Sequence, residues 1–231
     1  GNRPDLLKPA GPIDPQIAFL AIETLEGRPL GLLANYSLHY VGNTGRHNIS
    51  ADYFGVFCDR VQELLGADRQ QPPFVAAMSN GTSANINNID YSKPREKHKQ
   101  YEKIQIVADQ CARAVCGQYE NLVWHDRVPL GMRERELDLG VRKPTPAQLK
   151  HAEEVLADPD RRDKFPHERA YANRAIQQQK SPDTVRVIVQ AVRIGELGIS
   201  AIPFEVFSEI GLELKARNPF KPSFTMELAN G

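Results

Sequence analysis

Leu30-Gly31-Leu32-Leu33-Ala34-Asn35-Tyr36-Ser37-Leu38 is the stretch from which the fold is most directly read. Its apolar run is too short for an ordinary helix and closes in polar side chains, the length and character of a buried strand. Ile17-Ala18-Phe19-Leu20-Ala21-Ile22 upstream has the same character. Glu26-Gly27-Arg28-Pro29 between them reads as a turn, so the two strands form a hairpin. His39 falls just past the carboxyl end of the second strand.

Downstream, a Gly- and Asn-rich loop (Gly42 to Gly45) leads to Ser50-Ala51-Asp52-Tyr53, which opens a helix. Ser50 is the expected N-cap, and Asp52 suits the positive end of the helix dipole. Val56, Phe57, Val61, Leu64 and Leu65 recur at helical spacing and mark the buried face. Phe74 to Met78 is a short buried strand that runs into the polar loop Ser79 to Asn88. Lys93 to Cys116 reads as a helix with Ile104, Val107, Ala108, Cys111, Ala112 and Val115 inward, and Val123 to Leu139 as extended chain.

Thr145-Pro146-Ala147-Gln148 combines an N-cap Thr, a first-turn Pro and a capping-box Gln. The charged stretch from Lys150 to Lys180 then makes two surface helices parted near Asp158-Pro159. Thr184 to Ile194 is a β-branched strand, turning through Gly195 to Gly198 into Ile199 to Ile202. Pro203-Phe204-Glu205 is expected to launch a helix to about Lys215, before a last strand from Ser223 to Leu228. Residues 1 to 16, with Pro4, Pro9, Pro12 and Pro15, read as an extended segment.

No repeat of fixed period is present. Strands alternating with helices predict an α/β architecture, a layered mixed β-sheet flanked by helices, with residues 1–231 as a single domain. Such a fold gathers the loops that follow its strands at one sheet edge, where sites are built.

Composition narrows the function classes. The 231 residues carry 29 Lys+Arg against 29 Asp+Glu, so no global field draws the chain to nucleic acid or anionic lipid. Arg161, Arg162 and Lys164 are interleaved with Asp160, Asp163 and Glu168, as on a solvated helical surface. No apolar run approaches the ~20 residues of a membrane helix. Cys58, Cys111 and Cys116 form neither a disulfide framework nor a Cys-x-x-Cys knuckle.

Three segments that follow strands carry the candidate chemistry: His39, the Asn80 to Asn88 loop, and Glu205. A neutral imidazole and a carboxylate at one edge suit zinc, with a position left open for water. Each residue also has a structural reading. His39 could be a hydrogen-bonded core imidazole, Glu205 a first-turn acid on a helix, and the Asn side chains caps for backbone groups. Ser79 and Ser83 lack the Gly-x-Ser-x-Gly setting of a nucleophile elbow. His47 lies in a polar loop and is expected to be exposed.

Taken together, the motifs resemble the neutral/alkaline non-lysosomal ceramidases. Asn35-Tyr36-Ser37-Leu38-His39-Tyr40-Val41-Gly42, followed by Ile49-Ser50-Ala51-Asp52-Tyr53-Phe54-Gly55, resembles that family's zinc-site strand and the helix after it. Ser79 to Asn88 resembles its Gly-Asp-Val/Ile-Ser/Asn-Pro active-site loop, and Ala201-Ile202-Pro203-Phe204-Glu205 its Ile-Pro-Gly-Glu segment. Pro12 to Pro15 resembles the start of this region in bacterial members, and the motifs keep the family's order.

The resemblance implies zinc-dependent hydrolysis of the N-acyl amide of ceramide or a related N-acyl lipid. His39 and Glu205 would be zinc ligands, and Asn85 and Asn87 would orient the substrate carbonyl or the attacking water. Asn87 stands where the family has its catalytic Ser, and Asn85 where it has Asp. It further implies that the chain is the central part of a longer catalytic domain, with a His from an upstream His-x-His segment and a downstream Tyr completing the zinc site. A periplasmic or secreted setting is expected, with a small-molecule or lipid amide as partner. The alternative is a non-catalytic relative, a carbohydrate- or lipid-surface binding module that kept the fold and lost the chemistry.

Overall fold

A computed structural model of the chain describes residues 6–67 and 70–230. The first five residues of the proline-rich segment lie outside that range, and residues 6–16 carry no regular structure. The elements in order are β1 (Ile17–Glu23), β2 (Pro29–Tyr36), α1 (Asp52–Leu64), β3 (Val75–Asn80), α2 (Glu102–Tyr119), β4 (Leu130–Gly140), α3 (Pro146–Ala157), α4 (Glu168–Gln179), β5 (Thr184–Ile194), β6 (Leu197–Ala201), α5 (Ser208–Arg217) and β7 (Ser223–Met226). Two compact units divide the chain, one of Gly1–Arg135 with Val189–Gly231 and one of Glu136–Ile188.

The architecture is α/β, with mixed sheets flanked by helices, and the strands fall into two sheets. One has the order β1-β2-β3 and the other β4-β5-β6-β7. The expected hairpin is present: β1 runs antiparallel to β2, with Phe19 opposite Ala34. β3 lies parallel to β2, with Tyr36 opposite Asn80, and β7 lies parallel to β6.

Alternation along β1 explains the layering. Ile17 and Phe19 join Leu32 and Ala34 of β2 against α1 and α2, in a core that includes Tyr53, Phe57, Val61, Ile104, Ala108 and Val115. Ala18 and Leu20 point the other way and pack with Leu197, Ile199, Phe224 and Met226 of the second sheet. β1 is therefore covered on both faces over Ile17 to Leu20, which is why it reads as an uninterrupted apolar run. A slip of one residue would exchange the two cores, so this pattern fixes the register. Phe57 and Val61 are fully buried, each contributing about 1.5–3 kcal/mol relative to exposure.

In the unit Glu136–Ile188, α3 and α4 pack through Ala152, Val155 and Ala172. Thr145 starts α3 as its sequence predicts, with both hydrogen bonds of the capping box made to Gln148.

Several element boundaries differ from the sequence reading; the strand expected from Val123 begins only at Leu130. The helix expected from Lys93 begins only at Glu102, because Pro94 disfavours helix at the residue before it and Tyr101, with φ +64°, leaves the helical region. The helix expected at Pro203 begins at Ser208, which leaves Glu205 in the connecting loop. Ser50 does not occupy the N-cap position of α1; its Oγ accepts from Asp52 N at 3.0 Å, and Asp52 itself has φ +52°.

Candidate functional site

Because β2 and β3 are parallel, the segments that follow them leave the sheet at one edge. The β3 loop stays close to that edge: Gly81 N donates to Tyr36 O at 2.9 Å. A Cβ at Gly81 would lie 2.9 Å from Ser37 N and from Tyr36 C, so this approach requires glycine. Thr82 and Ser83 are buried.

Glu227, one residue past β7, joins the ends of the second sheet to the same edge. Its buried carboxylate accepts from Ser83 Oγ and Val206 N, each at 2.6 Å, and from Asn80 Nδ2 at 2.9 Å. Its own N–H donates to Asn80 O, and Ala84 N donates to Val206 O. The loops after β2, β3, β6 and β7 thus meet at one edge.

His39 sits in the β2 loop between two anchors. On its amino side, the fully buried Tyr53 donates its hydroxyl to Leu38 O at 2.8 Å. Burial, foremost, with charge from Cys111, Tyr36 and Asp52, pushes that phenol far above its ordinary pKa, so it stays protonated as a donor. On the carboxyl side, the Asp52 carboxylate accepts from Val41 N at 2.8 Å and Gly42 N at 2.7 Å. Asn88 Nδ2 adds bonds to Tyr40 O and Val41 O, and Lys103 Nζ of α2 donates to Asn88 O. The imidazole stacks at 4.4 Å on the Tyr40 ring, and its buried Nδ1 has no hydrogen-bond partner among the described residues.

This half-buried imidazole opens on a groove of about 1000 Å³. The facing wall is the non-helical segment from Asn87 to His98. Sequence reasoning missed this wall by assigning Lys93 onward to a helix; Pro94 was the signal against that assignment. His98 also lines the groove; Glu96 Oε2 lies 3.3 Å from its Nε2, but off the direction a hydrogen bond needs.

The expected site residues are distributed unevenly. Asn87 is exposed and shares the groove with His39. Asn85 faces α5 instead, where its Oδ1 accepts from Ser208 N at 2.9 Å and its Nδ2 donates to Glu209 Oε2 at 2.8 Å. Glu205 is exposed in the loop before α5 and is not among the groove's residues. Ser83 is fully buried and His47 exposed. Glu227 went unnoticed in the sequence; a lone acid directly after the apolar run Phe224-Thr225-Met226 was its only sign.

His39 Nδ1 suits a donor kept for a cation, being buried and unengaged. Among the described residues, however, no three His, Cys, Asp or Glu side chains come together as a metal-holding group. One fitting donor is present, not a full ligand set.

No protein-family model matches the chain, and no curated protein matches it. Solved structures do. A neutral ceramidase from Pseudomonas aeruginosa superposes with a TM-score of 0.61 at 16% identity, over 95% of this chain and 40% of that one. A ceramidase complexed with C2 gives a TM-score of 0.62 at 18% identity, over 99% of this chain and 43% of that one. The chain thus has a ceramidase-like fold and spans less than half the length of these relatives.

Proposed function

We propose that the chain is part of a zinc-dependent, ceramidase-type hydrolase of N-acyl amides, whose substrate enters the groove beside His39. The observation that carries this reading is the imidazole itself, anchored on both sides through Tyr53 and Asp52 while its buried Nδ1 is used by no group among the described residues. Similarity to neutral ceramidase structures supports the same reading.

His39 and Glu205 are the residues of this chain proposed to hold zinc. The ion, when bound, supplies a positive charge that polarises an amide carbonyl. Asn87, on the groove wall, offers an amide to hydrogen-bond the substrate carbonyl or a water. Asn85 acts at one remove, by holding the start of α5. A periplasmic or secreted setting goes with this reading; no helix among the described residues is long and apolar enough to cross a membrane.

Metal analysis of the purified protein, with release of fatty acid from a fluorescent N-acyl sphingosine, tests it. Bound zinc that is lost in His39→Ala together with turnover is the expected result. Zinc stoichiometry unchanged by that substitution would remove His39 from the ligand set.

A second reading, a binding module that kept the fold without the chemistry, is favoured by one observation. Both ends of the Asn85 amide are engaged with α5, and Asn87 carries no hydroxyl. A folded protein with neither zinc nor turnover would select it.

A further inference from the structure

The groove beside His39 is cationic where a site for a neutral two-chain lipid would need apolar walls. Lys93, Arg95, Lys97 and Lys103 line it against two carboxylates, Asp90 and Glu96. Lys93 pairs with Asp90 at 3.2 Å, and Lys103 donates to Asn88 O. Glu96 Oε2 lies 3.3 Å from His98 Nε2 and makes no ion pair with Arg95 or Lys97 among the described residues. Arg95 and Lys97 have no acidic partner among the described residues, so two cations of the wall are available to a ligand. A cleft lined by an excess of one charge concentrates ligands of the other.

We propose that this groove selects amides bearing an anionic group, a carboxylate or a phosphate, held by Arg95 and Lys97 with the acyl amide directed at His39. The inference rests on reading the groove as the substrate site, and it deepens that reading by replacing a neutral sphingoid amide with an anionic N-acyl compound. Guanidinium and ammonium donors on an exposed wall suit both oxyanions, and Arg95 can engage either bidentately.

Calorimetric titration of the full chain with three probes of equal acyl length provides the test. N-octanoyl-glutamate and N-octanoyl-O-phosphoethanolamine are the anionic probes, and N-octanoyl-ethanolamine is the neutral one. At low salt at least one anionic probe is expected to bind about fivefold or more tightly than the neutral one, the scale of an exposed ion pair. The preference should shrink as NaCl rises. The stronger of the two anionic probes identifies the oxyanion.

The double variant Arg95→Gln/Lys97→Gln should lose the preference while keeping the native circular dichroism spectrum, since both side chains are exposed. Equal affinity for all three probes, absence of binding by any of them, or a preference that survives the double variant would overturn the inference. Amine release from the same probes is scored separately. Selective binding without hydrolysis would keep the anion site and remove the hydrolase reading, whereas hydrolysis without charge preference would do the reverse.

Discussion

The Ser83 hydroxyl donates to Glu227 Oε1 at 2.6 Å although 144 residues separate them in the chain. Both residues are buried, and the same carboxylate holds Asn80 and Val206. One acid thus satisfies three donors, from the end of β3, the loop after it and the loop after β6. In the low-dielectric interior such charge-assisted bonds are stronger than neutral ones, and leaving a donor unmade is correspondingly costly.

Ser83→Ala should therefore destabilise the protein by about 1.5–3 kcal/mol, the range for a hydrogen bond to a charged group. A fall in Tm on the order of 3–12 °C would accompany it for a chain of this size. Ser83 is fully buried and its proton is committed to Glu227, so its role is structural and not nucleophilic. An unchanged Tm would contradict the proposed role of this bond.

Asn85 makes a different kind of bridge, capping α5 from another part of the chain. Asn85→Ala should cost about 0.5–2 kcal/mol, as loss of an N-cap does. Asn85→Asp keeps the acceptor for Ser208 N but sets a second carboxylate against Glu209, whose own acidity is strengthened first by its backbone N–H and next by Asn85. The Asp variant should be less stable than wild type at pH 7 and recover part of the difference below about pH 4, where one of the two acids takes up a proton. Urea denaturation at the two pH values measures both effects.

Apolar and β-branched runs located most strands: β5 coincides with its expected range, and β1 extends it by one residue, whereas the exposed, charged β4, expected from Val123, begins only at Leu130. The capping box made the start of α3 equally legible. Division into two sheets was not legible, since Ala18 and Phe19 face different cores without any local difference that says which. At the site, His39 and the small-residue loop could be found because both follow apolar strands. The partnership of Ser83 with Glu227, the capping role of Asn85 and the cationic wall arise from long-range closure, which a single sequence does not encode locally. The wall was also hidden by a helical pattern that Pro94 and Tyr101 interrupt.

In the unit Glu136–Ile188, the Glu168 carboxylate accepts from Lys164 N at 2.7 Å and lies within 3.2 Å of both Arg161 and His151. The Lys164 N–H first, and then the charges of Arg161 and His151, hold its pKa below the usual glutamate value. A carboxyl with a depressed folded-state pKa stabilises fully above its unfolded value and loses that contribution as pH falls through the folded one. Wild type should therefore exceed Glu168→Gln in Tm at pH 6, with the gap closing below about pH 4.3 as the carboxylate protonates. A gap independent of pH would mean that the charge of Glu168 plays no part.

Burial pushes the Cys111 thiol up to about 11, and it raises Cys58 and Cys116 as well. The thiolate is the reactive form, so all three should react slowly with Ellman's reagent at pH 7.5 and rapidly once the chain is unfolded in guanidinium. Fast labelling of the native protein would show that the helix pair α1 and α2 opens readily.

Asp52 holds the segment that follows His39. Asp52 carries its two carboxylate oxygens to consecutive amides, Val41 N and Gly42 N, and its Oδ1 also accepts from Tyr53 N at 2.7 Å. Asn at this position retains one acceptor and turns a donor toward one of the three N–H groups, whose burial then costs about 1–3 kcal/mol. Asp52→Asn should accordingly release the segment after His39 before it unfolds the rest. Hydrogen exchange should show faster exchange at Val41 and Gly42, with α2 core amides such as Ala108 and Ala112 much less affected. The imidazole would lose its carboxyl-side anchor while the Tyr53 bond to Leu38 remained. If His39 holds zinc as proposed, zinc affinity should then fall further than global stability does, whereas a purely structural Asp52 would weaken the metal only in proportion to the unfolded fraction.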